Sequence, residues 1–195
     1  LKKVLEEKAE ELSEVFEKKN SKIKIEFTGR RAHEARFRFA GDTLIFHQHT
    51  NVFQFDKSHF LWKTSYLKDD PHRSYCGIIN IFNFLTDSFK YNRMHDSGYL
   101  VGRIFVNKDM HFYVEGKRQL GFLYNDFVNS KLDKKVLGDI VESAMMYTLD
   151  FDLYTPPYTN IKEVSVQEIK EMSQNSIKTG KRLGFRFEAD SDNIE

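Results

Sequence analysis

One stretch of the sequence decides the fold: Tyr99-Leu-Val-Gly-Arg-Ile-Phe-Val106, then Asn107-Lys-Asp109, then Met110-His-Phe-Tyr-Val114 and Glu115-Gly-Lys117. Two apolar runs flank a short polar link that contains Asn and Asp. Adjacent antiparallel strands are commonly joined by links of this length and composition. The stretch therefore predicts a β-hairpin over residues 99–115.

Alternation of apolar and polar residues predicts further strands upstream of the hairpin. Residues 22–27 and 36–39 both alternate with the period of two that a half-buried strand requires. Gly41-Asp42 is a turn signal, and Thr43–Phe55 continues as a long strand or as a bent pair. Consecutive strands joined by short polar links predict an antiparallel meander.

Apolar residues at helical spacing predict helices near both ends of the chain. Residues 1–19 have a narrow apolar stripe surrounded by Lys and Glu. Residues 130–148 give the clearest helical pattern, with Ser130 as the expected N-cap. The capping-box pattern Ser165-x-x-Glu168 predicts a short helix over about residues 165–176.

Three apolar runs complete the pattern. Residues 76–89 fit a helix or a strand equally well, whereas 120–124 and 183–188 are predicted to be short strands. Together the elements predict an α+β fold in which helices pack on one side of an antiparallel, aromatic-rich sheet. The expected organisation is an N-terminal helix over 1–19, a single domain over 20–189 and an acidic frayed tail over 190–195.

The composition limits the class of protein. The chain has 195 residues, of which 40% are hydrophobic and 30% charged, and it contains 18 Phe and 9 Tyr, which favour pleated surfaces. Its net charge of +1 shows no overall basic excess, so binding to nucleic acid would need a local basic patch. Cys76 is the single cysteine, which indicates a reducing, cytoplasmic location, and no run is apolar enough to predict a membrane span.

A possible catalytic set follows from the hairpin. Glu115 and Lys117, two residues apart, would share one face of a strand, and Asp96 precedes the hairpin. Over Asp96–Lys117 the sequence resembles the PD-(D/E)xK nuclease superfamily. The resemblance implies that the two carboxylates hold Mg²⁺ and that Lys117 acts near the attacking water or the phosphate.

A histidine pair forms a second candidate site. His47 and His49 would face the same way on a strand and could bind a ligand together. The spacing Gly41-x5-His47-x-His49 resembles the first half of the cupin metal motif. No second half with a further His ligand follows, so we interpret the pair as ligand-binding residues without a metal.

Arginines on one strand form the third candidate. Arg36 and Arg38 would project from one face of the sheet, while Phe37 and Phe39 project from the other. Arginine side chains on a sheet face can hold phosphates or stack on bases. No nucleotide-binding glycine motif or serine-hydrolase motif is present in the sequence.

The leading hypothesis is a non-enzymatic binding module without a cofactor. It would recognise an anionic ligand, a nucleic acid or a protein partner through Arg36, Arg38, His47 and His49. The first alternative is a Mg²⁺-dependent nuclease that uses Asp96, Glu115 and Lys117. The second is an assembly protein whose N-terminal helix contacts a partner helix.

Overall fold

The computed structural model of the chain describes residues 1–19, 23–29, 32–93 and 96–150, together with the backbone of two short strands at 153–154 and 183–184. Within these residues, seven antiparallel strands form one sheet, so the predicted α+β class is confirmed. The strands are β1 (Ile25–Thr28), β2 (Glu34–Phe39), β3 (Asp42–Gln48), β4 (Phe53–Gln54), β5 (Tyr75–Leu85), β6 (Tyr99–Asn107), β7 (Phe112–Gly116), β8 (Leu153–Tyr154) and β9 (Leu183–Gly184). The α-helices are α1 (Lys2–Lys18), α2 (Ser65–Asp69), α3 (Thr86–Lys90), α4 (Gln119–Leu123) and α5 (Lys134–Leu149), and two 3₁₀ helices span Phe60–Lys63 and Pro71–Ser74.

The strand order of the sheet is β1-β2-β3-β5-β6-β7, with β4 paired beside β5. The predicted meander is present as β1, β2 and β3, and the predicted hairpin as β6 and β7. The predicted bent pair over 43–55 is β3 and β4, and the ambiguous run 76–89 is β5 followed by α3. These pairings fix which residues of neighbouring strands share a face.

Helices α1 and α5 cover one face of the sheet, as the alternating pattern predicts. The apolar stripe of α1 places Leu5 and Ala9 in this layer, and α5 contributes Ile140, Val141 and Ala144. They pack on the side chains of the sheet that point the same way, so this side holds a continuous hydrophobic core. The main residues of the sheet in it are Phe37, Phe39, Leu44, Phe46, Ile81, Ile104, Phe112 and Val114.

The predicted strand over residues 120–124 is wrong, because Gln119–Leu123 form helix α4 and Tyr124 follows it. Arg118 takes a positive φ of 52° and turns the chain sharply out of β7. Leu120 then enters the core and is 1% exposed. Gly121 lies so close to β7 that a Cβ atom there would be 2.2 Å from the Gly116 carbonyl oxygen. A short apolar run fits either state, and here the helix lets Leu120 fill the core.

The predicted N-cap of the long helix is also wrong. The helix starts at Lys134, and the Asp133 carboxylate accepts a hydrogen bond from the backbone N–H of Val136 at 2.8 Å. Ser130 instead accepts the backbone N–H of Phe112 at its carbonyl, at 3.3 Å.

Some predictions fall outside the described residues. They are the helix over 165–176, the tail over 190–195 and the strand over 183–188 beyond Gly184. Leu183–Gly184 does form a strand, paired in parallel with Leu153–Tyr154. Of the helices in the described ranges, none combines the length and the apolar character of a membrane span.

Candidate binding face

The face of the sheet that points away from α1 and α5, called the outer face below, carries the predicted arginines. On β2, Phe37 and Phe39 are buried beneath the helices, whereas Arg36 and Arg38 alternate with them and are half-buried. A period of two sends neighbouring residues to opposite faces of a sheet. As its sequence predicts, β2 therefore has one buried apolar side and one polar side on the outer face.

Aromatic side chains cover both ends of the outer face. At one end, Phe55 and Phe127 pack on Tyr113, with ring centroids 5.7 and 6.0 Å from its own. We call the buried group at this end the aromatic cover; it consists of Phe55, Leu61, Leu67, Cys76, Phe105 and Phe127. At the other end, the ring of Phe89 on α3 lies 5.3 Å from that of Phe84 on β5. The middle of the outer face lies between these two covered ends.

A row of polar residues crosses the middle of the outer face from β2 to β7. Each member is paired in register with the next member on the neighbouring strand. The polar row consists of Glu34, His47, Asn80, Arg103 and Glu115. Strands lie about 4.8 Å apart, so a row over five strands is about 19 Å long. His47 and Glu115 are exposed and the other members are half-buried, so solvent reaches the row.

An apolar row lies beside the polar row, about two residues or about 7 Å further along the strands. Ile45 is paired with Phe82, and Phe82 is paired with Leu100. A β-bulge between Ile81 and Phe82 shifts the register at this point, and bulges re-aim side chains. Leu100 is 43% exposed, so the apolar row (Ile45, Phe82 and Leu100) presents a large side chain to solvent next to the polar row.

Each arginine that the described strands place on the outer face forms an ion pair with a glutamate of the same face. The pairs are Arg36–Glu34 (Nε to Oε1, 2.7 Å), Arg38–Glu26 (Nη1 to Oε2, 3.1 Å) and Arg103–Glu115 (Nη1 to Oε2, 3.2 Å). Arg36 also lies over the ring of Phe89, 4.5 Å from its centroid. The arginines of this face are therefore balanced by glutamates and do not form a basic patch.

The two predicted histidines have different surroundings. His47 is an exposed member of the polar row on β3. His49 follows β3, where its backbone N–H still bonds to the Ile78 carbonyl at 2.9 Å, but its ring accepts the backbone N–H of Asn51 at Nδ1, at 3.0 Å. His49 therefore stabilises a turn. Among the described residues, no group of three or more His, Cys, Asp or Glu side chains could hold a metal ion.

The structure places the predicted nuclease residues in different surroundings. Asp96 precedes β6, where it accepts a hydrogen bond from Ser88 Oγ at 2.6 Å and forms an ion pair with Arg93 at 2.9 Å. Glu115 is opposite Arg103, four residues or about 13 Å into that strand. Lys117 is exposed just after β7. The structure thus brings Glu115 next to Arg103, not next to Asp96.

The cysteine of the aromatic cover has no nucleophilic character. Burial raises the pKa of the Cys76 thiol to about 12, and it also raises the pKa of the nearby Tyr113 hydroxyl. Both groups are therefore neutral at physiological pH. A thiolate is the reactive form of cysteine, so Cys76 has a packing role.

Sequence reasoning did not identify Asn80, Leu100 or Arg103 as site residues. Asn80 lies in the run that fits a helix or a strand, and its face is defined only once β5 and its register are known. In the sequence, the one indication was that Asn80 is a polar residue inside an apolar run. This suggests a functional position but does not show which residues of neighbouring strands lie beside it. Comparisons of the chain with protein-family models, curated proteins and solved structures find no match.

Proposed function

We propose that this protein is a non-enzymatic binding module that takes a protein partner on its outer face. The observation that carries the proposal is the polar row, which runs in register over five strands beside the apolar row. Protein interfaces combine an apolar centre with polar groups that fix orientation. Leu100 supplies an exposed apolar contact, while His47 and Asn80 supply hydrogen-bonding groups.

The charge balance favours a protein over a nucleic acid or another polyanion. A phosphate on Arg36 or Arg103 would have to compete with the glutamate already paired with that arginine. Affinity for nucleic acids comes largely from cations that release counterions from phosphates. A surface with paired charges of both signs instead suits a partner surface that also carries both signs.

The two alternative hypotheses, the nuclease and the assembly protein, have less support than the binding module. For the nuclease, Asp96 and Glu115 each form an ion pair with an arginine, which occupies the carboxylates that would hold Mg²⁺. For the assembly protein, Leu5 and Ala9 of the N-terminal stripe are buried within the chain's own core. A cytoplasmic location belongs to the proposal, because a lone, buried Cys76 suits a reducing compartment.

A site-specific crosslinking experiment tests the proposal. A photoreactive amino acid replaces Asn80 in the polar row or, as the control, the 77% exposed Phe122 on α4, outside the outer face. Each protein is prepared with and without the additional substitution Leu100→Asp. It is then irradiated in an extract of cells that express the chain. We expect a discrete adduct from position 80 that Leu100→Asp removes, and no such adduct from position 122.

Thermal unfolding of the pure chain with added ligands tests the other partner classes, because specific binding to the native state raises Tm. A rise with short DNA or RNA that is lost in the double variant Arg36→Ala/Arg38→Ala would replace the protein partner by a nucleic acid. A rise with Mg²⁺ that is lost in Glu115→Ala would favour the nuclease. Absence of a position-80 adduct would contradict the binding face itself.

A further inference from the structure

The geometry points to an amphipathic α-helix as the element that the partner places on the outer face, an inference that rests on the proposed function. Proteins bind peptide segments on a sheet in two main ways: as an added strand at an edge, or as a helix in an apolar groove. In the described residues, side chains or loops occupy both edges of this sheet, whereas the middle of its outer face is open.

The β7 edge of the sheet is closed by the segment that follows it. The backbone N–H of Val114 bonds to the Tyr124 carbonyl at 2.7 Å, and that of Phe112 bonds to the Ser130 carbonyl at 3.3 Å. His111 and Lys131 form a further β-bridge on the same edge. An added strand would need these same backbone groups, so it cannot bind there without displacing the segment.

The β1 edge is short and is partly capped by α1. Lys2 Nζ donates a hydrogen bond to the Gly29 carbonyl at 2.9 Å, and Ser13 Oγ donates one to the Ile25 carbonyl at 3.4 Å. β1 has four residues, and the capped carbonyls lie at its first residue and just past its end. Side chains that occupy edge carbonyls and short edge strands both oppose strand addition.

The open part of the outer face has the dimensions of a helix. The apolar row extends about 10 Å over three strands and lies about 7 Å from the polar row, which extends about 19 Å over five strands. A helix is about 10 Å wide and rises 1.5 Å per residue, so about 13 residues, or between three and four turns, would cover this length. Aromatic residues cover the outer face beyond both rows, which confines such a helix to an axis across the strands.

The two rows also match the two sides of an amphipathic helix. An apolar stripe at positions i, i+3, i+4 and i+7 would pack on Phe82 and Leu100. Polar residues that flank the stripe would then meet His47, Asn80 and the Arg103–Glu115 pair. Because that pair carries both charges, the flanking residues of the partner helix should carry both signs as well.

Two displayed peptide libraries test this inference on the intact chain. One contains 14-residue peptides that are stapled as helices and randomised along one face. The other contains linear eight-residue peptides with a central proline, which cannot form a helix. Selected binders from each are titrated against the wild type, Leu100→Asp, Arg103→Glu and the control Phe122→Asp, whose site lies outside the outer face. Thermal unfolding of each variant confirms that it is folded.

We expect helical binders whose affinity falls about tenfold or more in Leu100→Asp and in Arg103→Glu, the size of loss typical of a central interface residue. Phe122→Asp should leave their affinity within about twofold, the scatter of energetically neutral contacts. Linear binders with the same pattern of losses would overturn the helical mode and keep the binding face. Binders that are insensitive to both outer-face variants would overturn the binding face as well. If Leu100→Asp does not fold, the affinities for Arg103→Glu test the inference instead. The Arg103 side chain is 43% exposed, so we expect this variant to fold.

Discussion

Arg103 on β6 and Glu115 on β7 lie directly opposite each other, and the guanidinium Nη1 is 3.2 Å from the carboxylate Oε2. Their side chains are 43% and 60% exposed, so water screens the attraction between them. The sequence suggested Glu115 as a metal ligand, but its nearest partner is a cation. The pair instead orients two charges at one end of the polar row.

The Arg103–Glu115 pair should contribute little to stability. Exposed cross-strand ion pairs contribute about 0.2–1 kcal/mol, so Arg103→Ala should lower the free energy of unfolding by less than about 1 kcal/mol. Urea unfolding of the wild type, Arg103→Ala, Glu115→Ala and the double variant measures this coupling. A coupling above about 2 kcal/mol would instead assign the pair a structural role.

Asn107 should be essential for stability, because its side chain uses every hydrogen-bonding group it has. It is 5% exposed; its Nδ2 donates to the Tyr66 hydroxyl at 2.9 Å and to the Arg73 carbonyl at 3.2 Å. Its Oδ1 accepts the backbone N–H groups of Asp109 and His111 at 3.0 and 2.9 Å. These bonds join the segment that forms the aromatic cover to the β6–β7 turn.

Asn107→Asp tests this role with almost no change of shape. The substitution keeps Oδ1 but places an oxygen against the Arg73 carbonyl, and a buried polar group that loses its partner costs about 1–3 kcal/mol. We expect a loss of about 2 kcal/mol or more in urea unfolding. The same substitution at the exposed Asn92 should change stability by less than about 0.5 kcal/mol. Equal losses at both positions would contradict this role of the network.

Much of the sheet could be predicted from sequence, because its strands obey simple local rules. The alternation at residues 36–39 gives both the strand and its faces, and the link at 107–109 gives the hairpin. Residues 120–124 could not be assigned, since a short apolar run is ambiguous and the decisive contact of Gly121 with Gly116 is tertiary. Capping was misassigned for a similar reason, because both Ser130 and Asp133 are good N-cap residues.

The candidate site was less predictable than the fold. Alternation showed that Arg36 and Arg38 share a face, but it could not show that Glu34 and Glu26 neutralise them. That information is in the register between strands, which depends on the turns and on the bulge beside Phe82. The sequence thus predicts which residue types lie on the outer face, but not which side chains they pair with.

Cys76 should be unreactive in the folded protein. Burial raises its thiol pKa to about 12 from 9.0, so almost no thiolate forms at pH 8. We expect a thiol-specific disulfide reagent to modify the chain at pH 8 only in unfolding concentrations of urea, with Cys76→Ala as the blank. Rapid modification of the native chain would contradict the burial of this side chain within the aromatic cover.

The same thiol should make the protein sensitive to alkali. A group whose pKa is raised on folding adds stability that is present below its unfolded pKa and is lost as the pH rises towards its folded pKa. For Cys76 this window extends from about pH 9 to about pH 12. The urea midpoint should therefore fall less steeply between pH 9 and pH 10 in Cys76→Ala than in the wild type. If the urea midpoints of the two proteins fall in parallel, Cys76 is not a cause of the sensitivity to alkali.

Asp70 should make the protein sensitive to acid. Lys108 Nζ lies against its carboxylate, and the backbone N–H of His72 donates to Oδ1 at 3.0 Å. The Lys108 contact first, and then this hydrogen bond, lower the pKa of Asp70 to about 2 from 3.8. A lowered folded pKa gives stability that is present above pH 3.8 and is lost as the pH falls through about 2.

Asp70 is the N-cap of the 3₁₀ helix Pro71–Ser74, so Asp70→Asn removes this titration but keeps a capping side chain, since Asn caps as well as Asp. We expect the variant to be less stable than the wild type at pH 6 and to lose less stability between pH 4 and pH 2. Urea midpoints measured in steps over this range give both quantities. Asp69→Asn, at the neighbouring exposed carboxylate, serves as the matched control. If both variants follow the wild-type profile, the Asp70–Lys108 contact does not contribute to the acid sensitivity of the fold.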